Sequence, residues 1–400
     1  FFLLIIFIIN NELISKIIWW FPDLFGDLKT PVKWLECSNL GLDYYKDKAS
    51  FMQCAKREFN YGKIFLEIPY SQSLNFFYIN ILPFLLIYFS IFFVIKIFNI
   101  QNYTNLFILI FVIFNPSTFL LYSGANIDLL IFILLIFVVF NKIYFVNWFI
   151  YFFLTFVKIY PIILFFNIFF ENIKRSIKRI SIILIVLLLI SLFYFYLNFN
   201  EYIYFLNNLS GAKAGYHYLF SLNSSAKILK YLLNYNYIFL LLVTYLIFFY
   251  LSFETYKKIS LDINKNNNQK INFYSVEFRL FIISSYLSII CYIFFSNFFH
   301  REIFLIGTIP LILKFDEIFK NRLFKFFIYL YLVKLLYSYV YSYFNVNDGI
   351  QYIDSQRVFS DLFMIIISIK SIIDYFLMIM ISALSLYCTS KFYNNLKKSF

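Results

Sequence analysis

The sequence predicts an all-α protein that crosses a membrane many times. Of its 400 residues, 62% are hydrophobic and 25% are aromatic, and the mean hydropathy is +0.77. A water-soluble fold does not bury so large an apolar fraction, so a lipid bilayer must solvate most of it. The apolar residues also come in long runs, and about 20 of them in succession form a helix long enough to span a bilayer.

The apolar runs predict about eleven or twelve membrane spans. The first run, Phe1 to Ile9, is too short to span, and we expect it to be the end of a helix that begins before Phe1. No small-residue cleavage site follows it, which disfavours a signal peptide. Lys158 and Pro161 interrupt the run 143–170, which predicts two short helices or one broken helix, because proline removes a backbone donor. The runs after the first cover residues 73–98, 104–122, 127–141, 143–170, 180–198, 235–253, 277–297, 301–314, 325–343 and 361–387.

Basic residues orient the predicted spans, since they collect in cytoplasmic loops. The net charge is +13. The basic segments, expected in the cytoplasm, are 171–180, 254–276, 314–325 and the C-terminal tail. We therefore expect a multi-pass protein of the inner (plasma) membrane with a cytoplasmic C-terminus. It would be a single integral membrane domain over 1–400, made of an extracytoplasmic loop (21–72), a core (73–315), and C-terminal helices with a tail (316–400).

Residues 21–72 form the one long polar segment before the first complete apolar run. They hold seven acids and seven bases, so their charges balance. Cys37 and Cys54 are expected on the outer face, which is oxidising, and are predicted to form a disulfide. Asp23 and Asp27 closely follow the first apolar run. An acid there could act as a general base at the membrane surface, or both could be ordinary loop acids.

Polar residues inside apolar runs are candidate site residues, because burying them in lipid is costly. Asp128, in Asn126-Ile-Asp128, opens an apolar helix. Its carboxylate would either cap the helix and interact favourably with the positive end of the helix dipole, or belong to a functional site. Lys158 has no acid nearby in sequence. It would either extend to the membrane interface or hold a phosphate at membrane depth.

His300-Arg301-Glu302 precedes another apolar run, at an expected outward turn. Arg301 would either pair structurally with Glu302 or bind a phosphate through two hydrogen bonds. The sequence has no Walker phosphate loop, GxGxxG, HExxH or zinc-spaced Cys/His cluster, which disfavours a nucleotide-using cytoplasmic enzyme and predicts no metal ligands. Heavy use of Phe, Ile, Tyr and Asn is typical of an AT-rich genome, so the aromatic residues do not predict nucleic-acid binding.

Five pieces of the chain occur in a recognisable order. They are Gly26-Asp27-Leu28, Asn115-Pro116, Ala125 to Phe132, Leu154 to Phe165 with Lys158, Tyr160 and Pro161, and His300 to Leu305 with Pro310. In this order and spacing the chain resembles the GT-C membrane glycosyltransferases, specifically the family 87 type and its uncharacterised bacterial relatives. The resemblance covers about residues 1 to 315.

The resemblance implies a GT-C-like bundle with a large first extracytoplasmic loop. It implies a mannosyl- or arabinosyltransferase type of enzyme, whose partners are a polyprenyl-phosphate sugar, a lipid or glycan acceptor, and membrane lipids. The donor is a substrate, so no resident cofactor is implied. Asp27 would be the general base, with Asp23 as the less favoured choice. The residues implied in binding the donor phosphate or the substrate are Lys158, Tyr160, His300, Arg301, Asn126 and Asp128.

The main alternative is a multi-pass transporter or flippase of lipid-linked saccharides. Transporters tend to contain internal repeats and paired broken helices. The sequence shows one broken helix and no clear repeat, and the loop 21–72 is unusually long for a carrier. A polymerase or ligase of another fold, and a structural membrane component, are further alternatives.

Overall fold

The chain folds mainly into α-helices in the computed structural model. The structure describes residues 25–56, 59, 61–98, 103–158, 161, 164–165, 167–168, 177–201, 219–265, 272–273, 275–294, 297–347, 351–353, 356–358 and 361–398. The first helices are α1 (Gly26–Asn39), α2 (Lys48–Ala55), α3 (Gln72–Asn80), α4 (Leu82–Ile97), α5 (Tyr103–Ile113), α6 (Pro116–Gly124), α7 (Ile127–Phe140) and α8 (Tyr144–Val157). The later helices are α9 (Ile177–Leu197), α10 (Leu222–Leu233), α11 (Tyr237–Lys265), α12 (Val276–Phe294), α13 (Ile303–Ile306), α14 (Ile309–Phe319), α15 (Arg322–Asn347) and α16 (Asp361–Lys398).

Two pairs of short antiparallel strands connect some of these helices. Strand β1 (Leu219–Phe220) pairs with β2 (Asn297–Phe298). Strand β3 (Gln351–Ile353) pairs with β4 (Gln356–Val358), which closes a hairpin between α15 and α16. Single turns of 3-10 helix cover Lys63–Glu67 and Phe299–Glu302.

The chain divides into two compact units, and each consists of separated parts of the sequence. The loop unit comprises Phe21–Ser90 and Leu121–Gly211. The bundle unit comprises Phe1–Trp20, Ile91–Leu120 and Ala212–Phe400. The division of a single domain at residues 72 and 315 stays a prediction.

In the loop unit, the polar segment after Phe25 is a folded helical structure. A disulfide joins Cys37 of α1 to Cys54 of α2, with the Cα atoms 6.0 Å apart. Buried aromatic rings pack around this crosslink and also contact Ile127 of α7 and Val157 of α8. The polar segment is therefore anchored to the ends of two apolar helices. The aromatic members of this core include Trp34, Tyr44, Phe51, Phe59, Tyr61 and Phe65.

In the bundle unit, α16 is the central helix. It packs against α10, α11, α12 and α15. The turn between α13 and α14 approaches α12 so closely that a Cβ atom built on Gly307 would lie 2.1 Å from the Ser284 hydroxyl oxygen. Only glycine allows this contact without movement of the neighbouring helix.

Several helices are long and apolar enough to cross a membrane, as predicted. Among the described residues these are four helices, or up to six if each of two bent helix pairs is one span. The described residues therefore contain fewer helices of spanning length than the eleven or twelve spans that the sequence predicts. One reason is that α7 and α8 have 14 residues each. At about 1.5 Å per residue they are roughly 21 Å long, against about 30 Å of hydrocarbon.

The single span predicted over 301–314 is wrong. The Phe299–Glu302 turn, the short helix α13 and the 11-residue helix α14 occupy this region. Pro310 lies in the first turn of α14, where its missing N–H is tolerated, but it cannot continue a helix from the residues before it. The predicted end of a helix near Lys158 is confirmed, because α8 ends at Val157 and Lys158 has extended backbone.

The span predicted over 104–122 is two helices, α5 and α6, bent by 43° at Asn115. Pro116 begins α6, and the Asn115 side-chain oxygen accepts hydrogen bonds from the Ser117 backbone nitrogen (3.1 Å) and hydroxyl (2.6 Å). The Tyr339 hydroxyl donates to the Phe114 carbonyl oxygen over 2.6 Å. The bonds at the Ser117 backbone nitrogen and the Phe114 carbonyl oxygen satisfy backbone groups at the break.

Candidate functional site

Asp27 lies in the first turn of α1, which begins at an unusual backbone position. Phe25 has a φ of 61°, in the left-handed region that non-glycine residues seldom adopt, and its backbone nitrogen donates to the Ser123 carbonyl oxygen over 2.6 Å. This bond ties the start of α1 to the segment just before α7. Asp27 is half-buried, and its Oδ2 accepts a hydrogen bond from the Asn126 amide nitrogen over 2.8 Å.

Asn126 is the N-cap of α7. Its side-chain oxygen accepts a hydrogen bond from the Asp128 backbone nitrogen over 2.9 Å, while its side-chain nitrogen is the donor to Asp27. Asp128 is therefore not the N-cap itself, because Asn126 occupies that position. Asp128 lies in the first turn of α7, where a carboxylate favours the positive end of the helix dipole.

Asp128 and Lys158 form a buried ion pair. The Lys158 ammonium donates to Asp128 Oδ1, and the two side chains are 11% and 0% exposed respectively. Lys158 Nζ also lies 5.0 Å from the ring centre of Tyr61. Lys158 thus has an acid partner that is distant in sequence but adjacent in the fold.

The polar segment also contacts the ion pair between Asp128 and Lys158. The Gly62 backbone nitrogen donates to the Val157 carbonyl oxygen over 3.1 Å, which places Tyr61 next to Lys158. Lys63 pairs with Glu201 at 3.2 Å, after the end of α9. The loop unit therefore aligns Asp27, Asn126, Asp128 and Lys158 as a continuous polar chain, which we name the Asp27–Lys158 chain.

Two other predicted site residues lie in the bundle unit. His300 and Arg301 belong to the 3-10 turn Phe299–Glu302. Glu302 pairs with Lys334 at 3.0 Å and with Lys370 at 2.8 Å. Asp23 and Tyr160 lie outside the described residues.

Sequence reasoning missed three charged residues in apolar helices. Lys334 lies within α15, and Lys370 and Asp374 lie one turn apart in α16. The rule that drew attention to Lys158 also applies to them, since each is an ionisable residue in a predicted span. The spacing of Lys370 and Asp374 places them on one helix face, which is a further signal.

The chemistry of the Asp27–Lys158 chain is acid–base and electrostatic. A half-buried carboxylate, oriented by an amide, is suited to accept a proton, and a nearby ammonium is suited to an anion. Among the described residues, no group of three or more His, Cys, Asp or Glu side chains lies in a position to hold a metal ion. A scan against protein-family models, a search of curated proteins and a search of solved structures find no match to this chain.

Proposed function

We propose that this protein is a GT-C type glycosyltransferase, which moves a sugar from a polyprenyl-phosphate donor to a hydroxyl group of a lipid or glycan at the extracytoplasmic face of the membrane. The observation that supports it best is the Asp27–Lys158 chain. It unites an acid of the polar segment with the residues at the start of α7 and the end of α8. These are pieces of sequence on which the family resemblance depends.

In the proposed reaction, Asp27 is the general base. Its carboxylate takes the proton of the acceptor hydroxyl while the hydroxyl oxygen forms a bond to the anomeric carbon of the sugar. The bond between that carbon and the phosphate oxygen breaks, and polyprenyl phosphate leaves with the electron pair. The hydrogen bond from Asn126 leaves Asp27 able to accept a proton, because a carboxylate has about four lone-pair sites.

Lys158 is proposed to stabilise the charge of the leaving phosphate. Its ion pair with Asp128 does not exclude this role, since an ammonium group has three N–H donors. Asp128 balances the charge of the lysine and fixes the direction of its side chain. A positive group held in place before the reaction stabilises developing charge without the cost of reorienting at that moment.

The disulfide supports the proposed location of the polar segment. Disulfides persist in oxidising compartments and are rare in the cytosol. Cys37 and Cys54 are joined in the structure, and they belong to the same core as Ile127 and Val157. The segment and the Asp27–Lys158 chain are therefore proposed to lie together on the outer face.

The proposal is tested by Asp27→Asn in protein reconstituted into lipid nanodiscs with polyprenyl-phosphate sugars. General-base catalysis is worth about 10²- to 10⁴-fold, so we expect the initial rate of transfer to fall by at least about 100-fold. The matched control is Asp43→Asn, which makes the same change in the same segment. There, Asp43 Oδ1 accepts from the Tyr45 backbone nitrogen, and an asparagine oxygen can do the same. Transfer by Asp27→Asn at the parental rate would disprove the assigned base.

One observation favours the transporter or flippase as a second candidate. Two helix pairs, α3 with α4 and α5 with α6, are bent by 40° and 43° at short breaks. Paired broken helices are a feature of many transporters. A liposome assay with a fluorescent lipid-linked saccharide separates the two functions. A transporter moves the lipid across the bilayer with its saccharide intact, whereas the transferase releases polyprenyl phosphate.

A further inference from the structure

Helices α7 and α8 form a hairpin whose two far ends contact the polar segment. Residues 141–143 alone join the two helices, which contact each other, and helices joined by so short a loop run antiparallel. The start of α7 and the end of α8 both bond to the polar segment, through Asp27 and Gly62 respectively. All of these residues belong to the loop unit. The hairpin tip, which we define as residues 141–149, therefore lies at the end of the hairpin that is away from the polar segment.

Two asparagines satisfy the backbone groups of the hairpin tip. The Asn141 side-chain nitrogen donates to the Asn147 side-chain oxygen over 2.8 Å, and the Asn141 side-chain oxygen accepts from the Ile143 backbone nitrogen over 3.2 Å. The side-chain nitrogen of the buried Asn147 donates to the Val138 carbonyl oxygen over 3.4 Å. Carbonyl groups at the end of a helix otherwise require water or another cap. These groups at the hairpin tip are therefore satisfied without water.

The outer surface of the hairpin tip is apolar except for one cation. Lys142 is exposed, and in the described part of the chain no carboxylate pairs with it. The neighbouring side chains of Ile143, Phe145 and Phe149 are 61%, 75% and 63% exposed, whereas no side chain of residues 150–157 is exposed to this degree. An amine among exposed apolar side chains suits the edge of a bilayer, where the amine meets headgroups and the apolar groups meet acyl chains.

The length of the hairpin leaves two arrangements in a membrane. Each helix has 14 residues and is about 21 Å long, against about 30 Å of hydrocarbon. A tip that ended within the hydrocarbon would leave the charge of Lys142 in lipid, which is costly. A tip that reaches the opposite headgroups requires only an extended lysine side chain and a locally thinner bilayer, and both have a modest cost. The exposed charge therefore favours the second arrangement.

We propose that the hairpin tip is a lipid-binding anchor. Lys142 binds the negatively charged headgroups of phospholipids in the leaflet opposite the polar segment, and Ile143, Phe145 and Phe149 contact their acyl chains. Because the disulfide-containing segment is proposed to lie on the outer face, this is the cytoplasmic leaflet, where basic residues collect. The inference does not depend on the chemistry proposed for the Asp27–Lys158 chain.

The position of the hairpin tip is tested with a membrane-impermeant maleimide and sealed vesicles of one orientation. The parental protein is the blank, since Cys37 and Cys54 are joined and its other two cysteines are buried. We expect Lys142→Cys to react only from the side opposite to that from which Lys46→Cys, in the polar segment, reacts. The matched control is Phe149→Cys, which is also exposed in the structure. It should react at least about tenfold more slowly from either side, because it lies in hydrocarbon.

The lipid partner is tested with a bimane label that is attached to Phe149→Cys in detergent. The labelled protein is reconstituted into vesicles of equal parts of phosphatidylglycerol and phosphatidylcholine, and one of the two lipids carries bromine in its acyl chains to quench the label on contact. We expect phosphatidylglycerol to be favoured about fivefold at the label, which is the preference expected from one lysine beside anionic headgroups. Adding Lys142→Arg should keep this preference, and adding Lys142→Met should abolish it. Adding Lys46→Met removes a distant exposed lysine and should leave the preference unchanged.

Reaction of Lys142→Cys from the opposite side, with a lipid preference that arginine keeps and methionine loses, would support the anchor. Reaction from the same side as Lys46→Cys, or from neither side, would overturn the position of the tip. Absence of quenching by either lipid would mean that protein, such as a second copy of the chain, covers the tip, and would also overturn the proposal. An equal lipid preference with lysine and with methionine at position 142 would overturn the role of the charge. Thermal unfolding of each variant checks that it is folded.

Discussion

The side-chain nitrogen of Asn126 donates a hydrogen bond to the carboxylate of Asp27, a residue 99 positions earlier in the chain. Asn126 also caps α7 through its side-chain oxygen. One residue therefore both starts an apolar helix and orients the proposed base. These two roles can be separated by substitution.

Asn126→Ser should keep the cap and lose the contact with Asp27, because serine is a good N-cap but has a shorter side chain. We expect its thermal stability to remain close to that of the parental protein and its rate of sugar transfer to fall. Asn126→Ala should lose both roles, with a loss of about 1 kcal/mol of stability. Equal transfer rates for the parental and Asn126→Ser proteins would show that the contact with Asp27 has no role in the reaction.

Lys158→Met should leave the buried carboxylate of Asp128 without the ammonium that balances its charge. Breaking a buried ion pair from one side costs about 3–5 kcal/mol, so this variant should unfold at a clearly lower temperature. Asp128→Leu should have a similar effect. The double variant should be more stable than either single variant, since it buries no unpaired charge. The double-mutant cycle measures this coupling, and additive single effects would contradict the pairing in the structure.

Reduction of the disulfide should destabilise the loop unit. Cys37 and Cys54 are separated by 17 positions, and loss of a native disulfide that closes such a loop costs about 2–5 kcal/mol. We expect dithiothreitol to lower the unfolding temperature of the parental protein. The variant with serine at both positions should already unfold at the lower temperature and should not respond to the reductant. If dithiothreitol lowered the unfolding temperature of the serine variant by the same amount, the disulfide would not be the cause of the effect.

Gly307→Ala should destabilise the bundle unit, because its Cβ atom would overlap the side chain of Ser284. Overpacking of this kind costs about 1–3 kcal/mol. Ser284→Gly removes the overlapping atoms, so the double variant should recover much of the lost stability. The unfolding temperatures of the three variants check this prediction. If the double variant unfolded at the same temperature as Gly307→Ala, the close contact between residues 307 and 284 would be contradicted.

Acid should weaken the cap of α2. The Ser50 hydroxyl and the Ser50 backbone nitrogen both donate hydrogen bonds to the Asp47 carboxylate. These bonds, the one from the hydroxyl most of all, lower the pKa of Asp47 from its ordinary value of 3.8. The stabilisation is present above the pKa of the unfolded chain and is lost as pH falls through the lower pKa of the folded state. Hydrogen exchange at the Ser50 amide should accelerate in this acidic range. Asp47→Asn should remove most of that dependence on pH.

The apolar runs predicted the helical class, because hydrophobicity is a property of local sequence. The helices α11, α12, α15 and α16 occupy predicted spans and have the length that a bilayer requires. Asn115-Pro116 was predicted to end a span, and the structure has one helix that ends at Ile113 and a second that begins at Pro116. A proline can begin a helix as well as interrupt one, and only the contacts with Tyr339 show that the bend at this position is supported.

Single charged residues were visible in the sequence, but their partners were not. Lys158 has no acid nearby in the chain, yet α7 supplies Asp128 to it. Glu302 was considered as a partner of Arg301, yet α15 and α16 supply Lys334 and Lys370 to it. Pairing of this kind depends on which helices pack together, and a hydropathy pattern does not contain that information.

The sequence by itself determined that this is a helical membrane protein with a polar, cysteine-containing segment near its start, because composition and the spacing of apolar residues act locally. The tertiary structure alone decided that Asp27 meets Asn126, that Asp128 meets Lys158, and that Glu302 meets Lys334 and Lys370. The physical reason is the cost of burying a charge. Each buried charge requires a partner at hydrogen-bonding distance, and packing of distant segments determines which residue that partner is.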